Sequence, residues 1–370
     1  MPAFQDASPL RRPARVSSLF RFAKDLPKDL TMLRMQVSFK EGTDYYRIAW
    51  GPSLLLRFLK PVVRCFKPIV ILVIIMIVLS AILIYGSGLL LERANFLGRQ
   101  CVDLKVSKQR HSSASKFKFA MVTCQDGGKG VPGRSFEGLA DLVSPNKRSY
   151  AKRHGYDFID ASSLLDRSRP PSWSKILAVR KHLPHYDWVF WNDADSLVTN
   201  PTIALDDIID SIVGSIDFEN MPDFIVTEDV TGINAGMFFF RNSTWSIHFL
   251  DRWWNQTSFV RPFGQRKSGD NDALKFLIND MQHEERKRHV RIPSMQCVFN
   301  SNPWLPTWKS GHRLMTLTKT VWKGVYSKGD FMVHLAGLND KKKWIKKILH
   351  DIKEEEKMTR RLIRKTMKHH

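Results

Sequence analysis

The chain has 370 residues, 58 of them Lys or Arg against 36 Asp or Glu, for a formal net charge of +22. The surplus sits at the two ends: residues 1–68 hold 13 Lys/Arg and 5 Asp/Glu, and residues 341–370 hold 12 and 4. The stretch between carries little of it and shows no interleaved basic and aromatic motif, which argues against a nucleic-acid binder and for anionic membrane surfaces at both ends. Four cysteines in a chain of this length exclude a disulfide-framed mini-domain.

Residues 1–68 read as a basic cytoplasmic tail. Residues 69–91 form an uncharged apolar run. At about 1.5 Å per residue the run can cross a hydrocarbon core of roughly 30 Å. It lies too far from the N-terminus for a cleaved signal peptide. Arg57, Lys60, Arg64 and Lys67 precede it, so the positive-inside rule predicts one transmembrane signal anchor with the remainder lumenal. A buried core helix is the alternative. Residues 92–115, polar and basic, read as a stem. Beyond the span lie Cys101, Cys124 and Cys297, which cannot all pair within one chain. Cys124, in a predicted core strand, is expected as a buried free thiol, and Cys101 could link two chains.

Residues 116–340 are enough for one α/β domain with a substantial core. A first strand over 117–124 runs into Gly127-Gly-Lys-Gly130, either a phosphate-cradling loop or a flexible turn. A helix over 139–150, a short strand over 154–160 and a helix over 174–183 follow, the last with a serine start and Pro184 as its stop. Further strands are read over the segment that carries Asp193 and Asp195 and over 224–229 and 235–240, with a helix over 244–254. This alternation predicts a mostly parallel sheet with helices on both faces. The last thirty residues read as a basic amphipathic helix that lies on a membrane surface or docks on the domain.

The most telling segment is Asp187-Trp-Val-Phe-Trp-Asn-Asp193-Ala-Asp195, an aromatic strand ending in two carboxylates one residue apart. On a strand, positions two apart point to the same side, so Asp193 and Asp195 can converge on a hard cation bridging a diphosphate. An Asp-rich turn without a metal is the plain alternative. The sequons Asn242-Ser-Thr244 and Asn255-Gln-Thr257 are possible N-glycosylation sites.

Taken in order, Trp173-Ser-Lys175, Asp193-Ala-Asp195, Gly232-Ile-Asn234-Ala-Gly236, Asp270-Asn271-Asp-Ala-Leu274 and His334-Leu-Ala-Gly337 resemble glycosyltransferase family 34. That family includes fungal α-galactosyl- and α-mannosyltransferases and plant xyloglucan α-xylosyltransferases. The likeness covers roughly residues 117–338. It implies a GT-A-type, Rossmann-like α/β fold, a nucleotide-sugar donor, Mn²⁺, retention of anomeric configuration and a single-pass Golgi membrane protein.

Carried over by position, Asp193, Asp195 and His334 are implied as metal ligands, an O/N set suited to Mn²⁺. Asp193, Lys175, Asn234 and Gly236 are implied at the donor, and Asp270 and Asn271 at the reacting centre. The alternatives are a cap on a helix over 273–278 for Asp270 and a bond to backbone for His334. The chain departs from the plant pattern after His334: Leu338-Asn-Asp-Lys341-Lys-Lys343 stands where a diphosphate lysine is expected, and Lys341 or a neighbour could replace it. Trp304 and Trp308 are candidates for an acceptor groove, whereas Trp188, Trp191, Trp253 and Trp254 are expected in the core. The reading is thus a metal-dependent retaining transferase acting on a glycan or polysaccharide hydroxyl, with galactose or xylose from a UDP-sugar preferred. GDP-mannose is the alternative donor, a non-catalytic glycan-binding scaffold is the alternative class, and oligomers with other Golgi transferases are possible partners.

Overall fold

The computed structural model describes residues 66–82, 85–86, 101–102, 115–128, 135–214, 216–229, 231–303 and 323–366. The chain divides into two compact units, Met1–Ile75 and Met76–His370. In the first, residues 66–75 are helical and exposed, and in the second, residues 76–82 and 85–86 are helical. Among the described residues no helix is long and apolar enough to cross a membrane. Residues 83–84 and 87–91 of the expected span lie outside the described residues, as do the tail over 1–65, most of the expected stem, and Trp304 and Trp308.

The second unit holds the α/β domain. Its elements are β1 (Phe119–Thr123), α1 (Leu139–His154), β2 (Asp157–Asp160), α2 (Ser174–His182), β3 (Trp188–Asn192), β4 (Ser196–Val198) and α3 (Leu205–Val213). After these come β5 (Phe224–Asp229), β6 (Gly232–Arg241), α4 (Thr244–Trp254), α5 (Asp270–Asp280), α6 (His283–His289), β7 (Val290–Arg291), β8 (Met332–His334) and α7 (Lys341–Thr366). Six strands form one sheet in the order β2-β1-β3-β6-β5-β7, and β4 and β8 form a second, two-stranded one.

The main sheet is mixed. β1 runs parallel to β2 and β3, and β5 parallel to β7, but β6 is antiparallel to both β3 and β5. The sheet is thus mixed and mostly parallel, as expected, with its antiparallel strand at the centre. β6 returns from β5 as a hairpin rather than through a crossover helix, and a hairpin can only pair antiparallel.

The strands are apolar at almost every position because both faces are covered. Ala120, Val122, Val189, Trp191, Phe238 and Phe240 point to one side, where Ile176 and Val179 of α2, Phe249 and Trp253 of α4, and Leu274 and Ile278 of α5 pack on them. Their neighbours Phe119, Met121, Trp188, Phe190, Met237 and Phe239 point the other way, onto Tyr150 of α1 and Leu205, Ile208 and Ile209 of α3. Alternation within a continuous apolar run is the signature of a central strand with two dry faces. α1 ends at Gly155, whose φ of +70° is open to glycine, and the Tyr156 N–H reaches back to the Ala151 carbonyl at 2.9 Å to close it.

A third, smaller core lies under the β4–β8 pair. Leu139 and Val143 of α1, Leu197 of β4, Val333 of β8 and Leu335 meet there with Ile345, from the second turn of α7. The C-terminal helix thus docks by its first turns, as one of its two sequence readings expects. Cys101 is disulfide-bonded to Cys297 of the same chain, Cα atoms 5.5 Å apart, so it is not available for the expected link between chains. Cys124 is a free thiol, half-buried just past the end of β1.

Candidate active site

Asp193 and Asp195 sit on a turn between the two sheets, not on a strand as strand periodicity suggested. β3 ends at Asn192, opposite Met237 of β6. The Asp193 N–H then donates to the Gly236 carbonyl at 2.8 Å, and the Ser196 N–H returns to the Asp193 carbonyl at 3.2 Å before β4 begins. The two carboxylates converge because the chain folds back between them.

His334 arrives from the other end of the domain. It closes β8, paired with Ser196 of β4, which sets it beside Asp195. Its Nε2 lies 3.4 Å from Asp195 Oδ1 and 3.8 Å from Asp193 Oδ2. A ligand atom from each of Asp193, Asp195 and His334 falls within 4.8 Å of the others. Two hard carboxylates and one imidazole suit Mn²⁺ or a similar divalent cation, and so close a spacing of two acidic groups calls for a positive charge among them.

Three lysines already supply part of that charge. Lys175 of α2 is buried, its Nζ 2.9 Å from the Ala235 carbonyl and 3.2 Å from both Asp193 Oδ1 and Asp270 Oδ2. Burial alone would lower its pKa, but Asp193 and Asp270 hold it well above the ordinary value, so it stays charged. Lys341, the first residue of α7, places Nζ 2.7 Å from Asp195 Oδ2. Burial would raise the Asp195 carboxyl, yet Lys341 and His334 keep it well below the usual carboxylate range. Lys147 of α1 is fully buried and donates to the Asp193 carbonyl at 2.9 Å. Burial pulls it down to about 7 against the opposing effect of Asp195, Asp193 and Asp160.

Asp270 is the first residue of α5, and Gly269 with φ +95° is its cap, so the alternative reading of Asp270 as a helix cap does not hold. No side chain caps that end. The Asp270 carboxylate instead takes the Ser268 hydroxyl and Lys175 as partners, while the Trp253 indole fixes its backbone carbonyl at 2.9 Å. Asn271, the neighbouring candidate, has both ends of its amide occupied by β6. Its oxygen accepts the Ala235 N–H at 2.6 Å and its nitrogen donates to the Ile233 carbonyl at 3.0 Å. It braces a strand, with each end of the amide bonded once to β6.

Asn234 is held the same way: its oxygen accepts the Gly236 N–H at 2.8 Å and its nitrogen donates to Asp229 at 2.7 Å. Gly236 is required by the histidine rather than by a turn. A Cβ there would stand 2.1 Å from His334 Cε1. Trp188, Trp191 and Trp253 are buried, and Trp191 donates to Asp193 Oδ1 at 2.8 Å. Trp254 is half-buried beneath the Arg169 guanidinium, 3.8 Å from the ring centroid. Asn242 and Asn255 are exposed on the surface.

Two contributors were missed from sequence. Lys147 carried a signal, since it follows Leu139 and Val143 at helical spacing on the apolar face of α1. Asn300 carried none; it is buried, and its oxygen lies 3.0 Å from His334 Nδ1.

The profile of the galactosyl transferase GMA12/MNN10 family matches residues 116–214 and 216–344. The chain belongs to this family. It is 26% identical over 162 residues to a probable alpha-1,6-mannosyltransferase, MNN10, of Saccharomyces cerevisiae, covering 36% of this chain and 41% of that one. It is 28% identical over 233 residues to an uncharacterized alpha-1,2-galactosyltransferase of Schizosaccharomyces pombe, covering 53% and 55%. The chain thus spans about half the length of the curated relatives it matches. Among solved structures, the galactosyltransferase LgtC with donor and acceptor sugar analogues overlays with a TM-score of 0.37 at 13% identity, over 64% of this chain and 95% of that one.

Proposed function

We propose that this chain is a metal-dependent, retaining glycosyltransferase that moves a sugar from a nucleoside-diphosphate donor to a hydroxyl of a glycan or polysaccharide. The observation that carries the reading is the convergence of Asp193, Asp195 and His334, with Lys175 and Asp270 adjoining on the same side of the sheet. Asp193, Asp195 and His334 would hold the cation, Mn²⁺ by the chemistry of the set. Once bound, it supplies positive charge against which a diphosphate can leave.

The remaining residues have roles of their own. Lys175 ties Asp193 to Asp270, so the carboxylate at the α5 N-terminus has a fixed distance from the acidic turn. Asp270, held by Ser268 and Lys175, orients the donor sugar or stabilises positive charge at its anomeric carbon. Its two oxygens point toward partners already in place, which lowers the reorganisation needed during reaction. Asn271, Asn234 and Gly236 keep the β6 backbone and the imidazole in register around the site.

UDP-galactose and UDP-xylose are the first donors to consider, with GDP-mannose the alternative that the similarity to a mannosyltransferase favours. The uncharged run over 69–91 supports a single-pass anchor, and a Golgi location with the catalytic domain in the lumen is the reading that the family resemblance adds to that anchor. The test is donor hydrolysis by the full chain in detergent with Mn²⁺ or EDTA, over those donors, with Asp195→Asn in parallel. Metal-dependent turnover of one donor, lost in the variant, is the expected result. Mn²⁺-dependent nucleotide binding without turnover on any acceptor would favour the scaffold reading. No nucleotide binding with any metal would overturn the transferase reading.

A further inference from the structure

His334 can serve as a ligand through Nε2 only if that atom carries a lone pair, which requires the ring proton to sit on Nδ1. The hydrogen-bond partners around it decide the question, and they can be followed from groups whose character is fixed. The Gly236 N–H can only donate, so the oxygen of the Asn234 amide must face it, at 2.8 Å. The Asp229 carboxylate can only accept while ionised, so the Asn234 nitrogen must face it, at 2.7 Å. Asn234 is oriented twice over. Its oxygen is then an acceptor for the next amide in line, Asn300, whose nitrogen lies 3.4 Å away and also donates to the Thr227 hydroxyl at 2.9 Å. That leaves the Asn300 oxygen facing His334 Nδ1 at 3.0 Å. An amide oxygen cannot donate, so Nδ1 must bear the proton.

We infer that Asn300, oriented by Asn234 and Asp229, is the positioning residue that sets the tautomer of His334 and turns Nε2 toward Asp193 and Asp195. Asn300 is fully buried, so water does not compete for the bond. It belongs to the segment following Cys297, which the disulfide to Cys101 holds in place. The hydrogen bonds run from the end of β5, through β6, to the last residue of β8, and of the two ends of the Asn300 amide it is the accepting oxygen that the Nδ1 proton needs.

The inference rests on the metal reading of the site. Its test is Mn²⁺ binding by the full chain in detergent, measured from the free-Mn²⁺ electron spin resonance signal, for wild type, Asn300→Leu and Asn300→Asp. Asn300→Leu keeps the branched outline of the side chain but lets the ring choose either tautomer. Its Mn²⁺ affinity is expected to fall roughly 10- to 100-fold, the range seen when an outer partner of a metal-bound histidine is removed. Asn300→Asp retains an acceptor for the Nδ1 proton and is expected to bind within several-fold of wild type. Equal affinity of wild type and Asn300→Leu would overturn the inference while leaving the metal site standing. Absence of Mn²⁺ binding by wild type would overturn the metal reading, and the inference with it.

A second measurement needs no variant. Pulsed spin resonance of the wild-type Mn²⁺ complex, with histidine labelled ¹⁵N at Nε2 alone, should show a directly bound ¹⁵N. Binding through Nδ1, or through no histidine nitrogen, would overturn the inference.

Discussion

Lys341 Nζ lies 2.7 Å from Asp195 Oδ2, and both side chains are buried. The pair joins the first residue of the C-terminal helix to the turn that carries the acidic site. Lys341→Met would leave a buried carboxylate without its cation, a change that costs about 3–5 kcal/mol. The melting temperature of the metal-free protein should drop on the order of 10 °C. Mn²⁺ replaces some of the missing charge, so it should raise the variant's melting temperature by more than it raises that of wild type. Thermal melts with Mn²⁺ and with EDTA measure both effects, and an equal shift in the two proteins would contradict the charge argument.

Gly236→Ala puts a methyl group 2.1 Å from His334 Cε1 and 2.7 Å from Nδ1. The imidazole must turn away, because the alternative is to shift the β6 backbone that Asn271 holds on both sides. Mn²⁺ affinity should fall at least tenfold, about 1.4 kcal/mol, and a titration followed by Trp191 fluorescence would report it. Trp191 is suited to this because its indole donates to Asp193.

Asp223 and Arg241 make a second buried ion pair, 2.6 Å between Oδ1 and the guanidinium, at the end of the β5–β6 hairpin away from the acidic turn. Asp223→Ala should destabilise by about 3–5 kcal/mol, since His289 also contacts that carboxylate. Mn²⁺ affinity should stay within twofold of wild type. A parallel loss of metal binding would show that the two ends of the hairpin are coupled.

The cysteines give a chemical check on the fold. With Cys101 joined to Cys297 across 196 residues of the same chain, a non-reducing gel should show a monomer that migrates faster than the reduced form. Cys124 is pushed up to about 12, first by burial and then by Asp160, Asp126 and Asp193. At pH 8 only about one molecule in ten thousand would carry the thiolate. Alkylation of the Cys124 peptide should therefore be slow in the native protein and should keep rising with pH from 8 to 10. A plateau near pH 9 would contradict the environment described.

Local periodicity was enough for several elements. β5 over Phe224–Asp229 and α4 over Thr244–Trp254 coincide with the residues expected from sequence. Asp193, Asp195 and His334 were legible as a set through the order of the motifs, although the turn geometry that joins them was not. Which strand runs antiparallel escaped, because β6 has the same apolar pattern whether its neighbour runs parallel or antiparallel. Asn300 escaped for a different reason: its function consists of contacts to residues 34, 66 and 73 positions away. Asn271 looked reactive beside Asp270, and only the structure shows both halves of its amide committed to β6.

Lys341 is 146 positions beyond Asp195. A chain still emerging from the ribosome possesses the acidic turn long before it possesses His334 or the lysine that balances the charge. Synthesis therefore passes through a long interval in which the residues that meet at the acidic turn are incomplete. His334 and Lys341 come just ahead of Ile345, whose packing ties the C-terminal helix to the β4–β8 pair, so completion of the acidic site and docking of that helix draw on the same short stretch of chain.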